Sequence, residues 1–156
     1  MEVLIIGAAG MVGRKLVERL ARDKALIGKS IDKLTLVDVV APSQPAGFAG
    51  KVETFAADLS ASGKAEAMIA GRPDVIFHLA AIVSGEAEAD FEKGYRINLD
   101  GTRALLEAIR KAGGGYHPKL VFTSSAAVFG APFPEEIHDE EMGVFPDYEA
   151  FCAAAG

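Results

Sequence analysis

A chain of 156 residues, half of them hydrophobic, is long enough for one domain with a sizeable core. Its 22 acidic against 16 basic residues give a net charge of −6, and no lysine–arginine stripe offers itself to nucleic acid. The single cysteine, Cys152, excludes a disulfide framework and a cysteine-based metal site.

The first apolar run, residues 3–6, predicts a buried strand entering a glycine turn. Gly7, Gly10 and Gly13 follow at every third residue, where a helix is predicted over 11–22 with Val12, Leu16 and Leu20 on one face. No basic segment precedes the apolar run and glycines interrupt it, so it does not read as a signal peptide. No run approaches the ~20 apolar residues of a membrane span. The expectation is a cytoplasmic protein with neither membrane nor nucleic acid as partner.

Residues 23–33 read as an insertion before a second strand, 34–37, that ends at Asp38. Pro42, Pro45, Gly47 and Gly50 mark a loop over 41–50. A third strand, 52–56, precedes Asp58. A short helix over 61–70 is closed by Gly71, Arg72 and Pro73, and a fourth strand covers 75–79. A long helical stretch, 87–112, carries Phe91, Tyr95, Leu99, Thr102, Leu106 and Ile109 at helical spacing and ends at Gly113. A fifth strand, 120–123, runs into Ser124 and Ser125. Beyond it, Pro132, Pro134 and a run of acids predict a loop before the alanine-rich end.

Alternating strands and helices, with strands continuously apolar, imply a parallel sheet covered on both faces. Right-handed crossovers make it an α/β fold, a Rossmann-type doubly wound sheet. In such a sheet the first strand-to-helix turn lies where strand order reverses, and the helix N-terminus offers unpaired N–H groups to phosphate. Gly7 then permits the tight turn, Gly10 lets backbone approach a pyrophosphate, and Gly13 lets the helix pack against the strand. Glycines that merely make a turn are the alternative. Asp38 weighs against it, because a carboxylate there can accept two ribose hydroxyls and repels a 2′-phosphate, favouring NAD over NADP.

The segments GAAGMVG, VDVV, AADL, FHLAA, YRINLDGT and VFTSSAAVFG, in that order, resemble the extended short-chain dehydrogenase/reductase family, the NAD-dependent epimerase/dehydratase group, over about residues 1 to 134. Residues 72–110 are similar to its D-erythronate dehydrogenase branch. The resemblance implies a partial NAD-binding domain over 1–134 and a divergent acidic and alanine-rich tail over 135–156. It implies that Gly7, Gly10, Met11, Val12 and Gly13 cradle the pyrophosphate and that Asp38 holds the adenine ribose. Asp58 and Leu59 would border the adenine, and Leu79, Ala80 and Ala81 would run under the nicotinamide ribose. Asn98 matches an asparagine near the family's active site, and Ser125 matches its catalytic serine.

The family's chemistry also needs a Tyr-x-x-x-Lys pair, in which the lysine charge lowers the tyrosine pKa from about 10. Tyr148 stands about where that tyrosine should be, but four residues on is Cys152, and no lysine follows Lys119. The resemblance therefore implies the amino-terminal half of an enzyme, its sheet truncated after about the fifth strand and inactive alone. The parent reaction would be hydride transfer to NAD from a secondary alcohol of a sugar acid. A nucleotide-sugar epimerase/dehydratase and a non-catalytic dinucleotide-binding module are the alternatives. The fifth strand would be an open edge exposing Leu120 and Phe122, so self-association is expected.

Read from the residues alone, Asp58 can simply start a turn. Asn98, a mediocre helix former, can kink a helix or make a core polar contact. Ser124 and Ser125 can cap nearby backbone, and His78 reads as a satisfied core histidine. Ser84 reads as a loop serine. His138, Asp139, Glu140 and Glu141 lack metal-ligand spacing and read as a solvated acidic face.

Overall fold

A computed structural model describes residues 1–125, apart from the Ser84 side chain. The chain divides after Thr123 into two units, 1–123 and 124–156, and the fold is that of the first. In chain order its elements are β1 (Glu2–Ile6), α1 (Met11–Asp23), β2 (Ala25–Leu26), β3 (Lys29–Ser30), β4 (Lys33–Asp38), β5 (Lys51–Ala56), α2 (Lys64–Ile69), β6 (Val75–His78), α3 (Ser84–Ala89), α4 (Phe91–Gly94), a π-helix (Tyr95–Asp100), α5 (Gly101–Ala112) and β7 (Lys119–Phe122).

Five strands form one parallel sheet in the order β5-β4-β1-β6-β7. Alternation along β1 explains why its run is continuously apolar. Leu4 and Ile6 enter one core with Val37, Ile76, Ala65 and Met68 of α2 and Leu105 and Ala108 of α5. Val3 and Ile5 enter a second core with Leu34, Leu36 and, from α1, Val17 and Leu20. Each β1 side chain from Val3 to Ile6 thus meets a helix layer, as in a doubly wound Rossmann-type sheet. Burial of each large apolar side chain stabilises the fold by roughly 1.5–3 kcal/mol.

The inward face of α1 is Gly13, Val17, Leu20 and Ala21; Val12 points outward, contrary to the expected stripe. Within the segment read as an insertion, residues 25–30 form a two-stranded hairpin. Ile27 and Gly28 both have positive φ, the type I′ pattern that suits a two-residue hairpin loop. The helix expected over 61–70 starts only at Lys64. Leu79 lies past β6, although its N–H still donates to Ile6 O at 2.8 Å.

The single helix expected over 87–112 is broken. Asp90, extended at φ −137°, ends α3 and caps α4 by accepting the Lys93 N–H at 3.0 Å. The chain then passes through the π-helix before α5. Phe91, Tyr95, Leu99 and Leu106 are exposed, with the Phe91 and Tyr95 rings 4.7 Å apart.

Strand β7 is an edge among the described residues. Phe122 is exposed as expected, but Leu120 packs against the first core. Tyr116 anchors the connection into β7. Its hydroxyl donates to Pro73 O at 2.9 Å, Arg72 lies 5.0 Å from its ring centre, and burial pushes its pKa up to about 12.

Candidate functional site

The chain runs from β1 outward through β4 to β5, then crosses back to β6 on the other side of β1. Strand order reverses there, so the turns after β1 and β6 lie side by side, the place where doubly wound sheets bind ligands. Gly7 holds φ +91°, and a Cβ on it would stand 2.7 Å from Ala80 N. Its N–H and that of Ala8 both donate to Val37 O, at 2.8 and 3.1 Å. A Cβ on Gly13 would stand 2.1 Å from Gly7 O, so α1 rests directly on the turn. Gly10 is different: its φ is an ordinary −68°, and a Cβ would meet one atom, at 3.4 Å. Gly10 caps α1 with no side-chain hydrogen bond, and the first turn carries no acid, which leaves its N–H groups suited to an anion.

A cleft of about 510 Å³ opens above this turn. It brings together Gly7, Gly10, Asp38, Asp58, Leu79, Ala80 and Ala81 from the expected set. The Asp38 carboxylate braces the glycine turn, accepting the Ala9 N–H at 2.9 Å and the Val39 N–H at 2.7 Å. Five of the expected cofactor residues do not line the cleft. Met11 and Val12 are exposed at the start of α1, Gly13 sits behind the turn, and Leu59 is buried in the first core.

Asn98 is the fifth. Its side chain pairs with the backbone of Ile82, Oδ1 accepting the N–H at 2.9 Å and Nδ2 donating to the carbonyl at 3.0 Å. It does so from within the π-helix, a departure from α-helical spacing that recurs at functional sites. Ser124 and Ser125 are exposed and begin the second unit. Tyr148 and the run His138 to Glu141 lie outside the described residues.

Sequence reasoning missed Glu86, Lys93 and Arg96, which also line the cleft. Lys93 pairs with Glu86, and Arg96 pairs with Asp58. Burial alone would raise the Asp58 pKa, but hydrogen bonds from Ser60 and Arg96 outweigh it and hold the carboxyl below its ordinary range. No spacing rule links Arg96 to a carboxylate 38 positions earlier. Among the described residues no cluster of three or more His, Cys, Asp or Glu could hold a metal, and no helix is long and apolar enough to cross a membrane.

His78, the last residue of β6, is buried, its ring centre 5.4 Å from that of Phe122. Its Nε2 lies 2.9 Å from Thr102 Oγ1, which donates to Asn98 O at 2.9 Å. The hydroxyl proton being used, His78 Nε2 must carry its own, and burial lowers the ring's pKa from 6.5. A depressed histidine leaves the unfolded chain binding the extra proton as pH falls below about 6.5, so stability declines with acidification. The unfolding free energy from denaturant titration should fall between pH 7.5 and 5.5, by no more than about 1.4 kcal/mol per pH unit for one group. His78→Phe should flatten that slope. An equal slope in the variant would rule out His78 as its source.

The geometry defines a dinucleotide-binding type of α/β domain. The chain belongs to the NAD dependent epimerase/dehydratase family, which it matches over residues 3–153. It is 42% identical to a D-erythronate dehydrogenase of Cupriavidus necator over 144 residues, 90% of this chain and 43% of that protein. A nucleoside-diphosphate-sugar epimerase from Agrobacterium tumefaciens superposes with a TM-score of 0.83 at 66% identity, over 88% of this chain and 41% of that one. A uronate dehydrogenase from the same organism, a point mutant complexed with NAD, gives a TM-score of 0.62 at 37% identity, over 80% and 41%. The chain therefore spans about two fifths of the length of these relatives.

Proposed function

We propose that this chain is the NAD-binding portion of an oxidoreductase whose parent reaction removes a hydride from a secondary alcohol of a sugar acid, D-erythronate being the first candidate. One observation carries the reading: the cleft joins an uncapped helix N-terminus, the close-packed Gly7 turn and the Asp38 carboxylate at the reversal of strand order. Those features fit a dinucleotide. The first turn of α1 and Gly10 would take the pyrophosphate, Asp38 the adenine ribose, Asp58 the base, and Leu79 to Ala81 the nicotinamide ribose. Bound NAD supplies a hydride acceptor. Ser125 and Tyr148 are the residues proposed to act on the alcohol.

The sugar-acid reading draws on the Cupriavidus dehydrogenase, whereas the Agrobacterium epimerase favours a nucleotide-sugar substrate. Self-association is the proposed role of the exposed Phe91, Tyr95, Leu99 and Phe122. Calorimetric titration tests the cofactor. NAD should bind measurably and more tightly than NADP, and equal affinity for the two would count against Asp38 as the ribose ligand.

A further inference from the structure

The π-helix does more than carry Asn98. In the sheet, β5 and β6 are separated by β4 and β1, yet the π-helix ties together the loops that follow them. Asn98 holds Ile82 after β6, and Arg96 holds Asp58 after β5. A Cβ on Gly101, at the start of α5, would lie 3.7 Å from the Leu59 side chain and from Ser60 N, so this end of the helix is seated on the same loop.

The contacts around Asp58 form a closed ring. Arg96 Nη1 donates to Asp58 Oδ2 and, at 2.9 Å, to Ser60 Oγ. Ser60 Oγ donates to Asp58 Oδ1 at 2.6 Å, and the Ser60 N–H donates to the same oxygen at 2.9 Å. Oδ1 therefore accepts two hydrogen bonds and Oδ2 one. Each carboxylate oxygen can accept two. One acceptor site is left on Oδ2, and the Asp58 side chain is 33% exposed in the cleft wall. Both hydrogens of Arg96 Nη1 are already used within the ring.

Resting on the cofactor reading above, we propose that Arg96 is a specificity-determining positioning residue. With Ser60 it fixes Asp58 as a pure acceptor with one open site, which selects a nucleotide base bearing an exocyclic amino group over one bearing a carbonyl at that position. An ionised carboxylate cannot donate to a carbonyl, so the wrong base leaves it facing a second acceptor.

The probes are NAD and nicotinamide hypoxanthine dinucleotide, in which a carbonyl replaces the amino group of the base. Both are titrated into the 156-residue chain and its Arg96→Met and Ser60→Ala variants, with a thermal melt of each. The unsubstituted chain should prefer NAD by roughly tenfold, the order of one charge-assisted hydrogen bond. Arg96→Met should bring that ratio within about twofold, because Asp58 loses its fixed direction. A loss of cationic charge alone would weaken both dinucleotides equally; an unchanged ratio in Arg96→Met overturns the proposal. Should Arg96→Met fail to fold, Ser60→Ala carries the same test: its ratio should fall about threefold, and an unchanged one overturns the proposal. An unsubstituted chain that binds NAD without base preference overturns it while leaving the cofactor reading intact. Binding of neither dinucleotide overturns both.

Discussion

Gly13→Ala should destabilise the domain by about 3 kcal/mol or more and lower its melting temperature by roughly ten degrees. The added methyl would lie 2.1 Å from Gly7 O and 2.8 Å from Ala8 Cα, and both are backbone that cannot rotate aside. Relief requires α1 to lift from the sheet, opening the core at Val17 and Leu20. Gly7→Ala should be comparably severe, combining a φ of +91° with a methyl 2.7 Å from Ala80 N. Gly10→Ala separates packing from binding. Its methyl meets one atom at 3.4 Å, so the melt should stay close to that of the unsubstituted chain. Gly10 lines the cleft, so NAD affinity should nevertheless fall. Thermal melts with parallel calorimetric titrations check all three. An unshifted melt for Gly13→Ala would show that the helix stands further from the turn than the 2.1 Å approach allows.

The strands were legible because a parallel sheet buried on both faces needs near-continuous apolar runs: Val3 to Ile6 is one, and in residues 34–37 only Thr35 interrupts Leu34, Leu36 and Val37. Three glycines at the head of a helix were legible for the cost they carry there. The break at Asp90 was not. Phe91, Tyr95, Leu99 and Leu106 keep helical spacing across the segment, so periodicity alone joined it into one helix. The π-helix coincides with a tertiary contact, Asn98 on the Ile82 backbone 16 positions away. The hairpin at 25–30 was hidden by its length and by Ile27, a β-branched residue with φ 52° where asparagine is usual. In the site, the residues carried by turns after strands could be placed from the sequence. Arg96, Lys93 and Glu86 could not, since what brings them to the cleft is the packing of three short helical pieces rather than a motif.

Asp38→Ala should weaken NAD by about tenfold to a hundredfold, the loss of a charged hydrogen-bond acceptor worth ~1.5–3 kcal/mol. The structure adds a second component to that expectation. The Asp38 carboxylate also accepts the Ala9 and Val39 N–H groups, so alanine removes the brace that holds the glycine turn against β4. The two components respond differently to ligand. Loss of the brace should lower the melting temperature with no ligand present and weaken NAD and NADP alike. Loss of the ribose acceptor should weaken NAD selectively, and loss of the negative charge should relieve NADP, whose 2′-phosphate no longer meets a carboxylate. Asp38→Asn isolates the charge. Its remaining oxygen can still accept from Ala9 N, so the turn keeps part of its brace while the repulsion disappears. The NAD-to-NADP affinity ratio should therefore fall in both variants, and the melt should fall further in Asp38→Ala than in Asp38→Asn. Titration of both dinucleotides into the three proteins gives the ratios. A ratio that stays constant while both affinities drop would assign Asp38 to bracing the turn alone and leave the choice of cofactor to another residue.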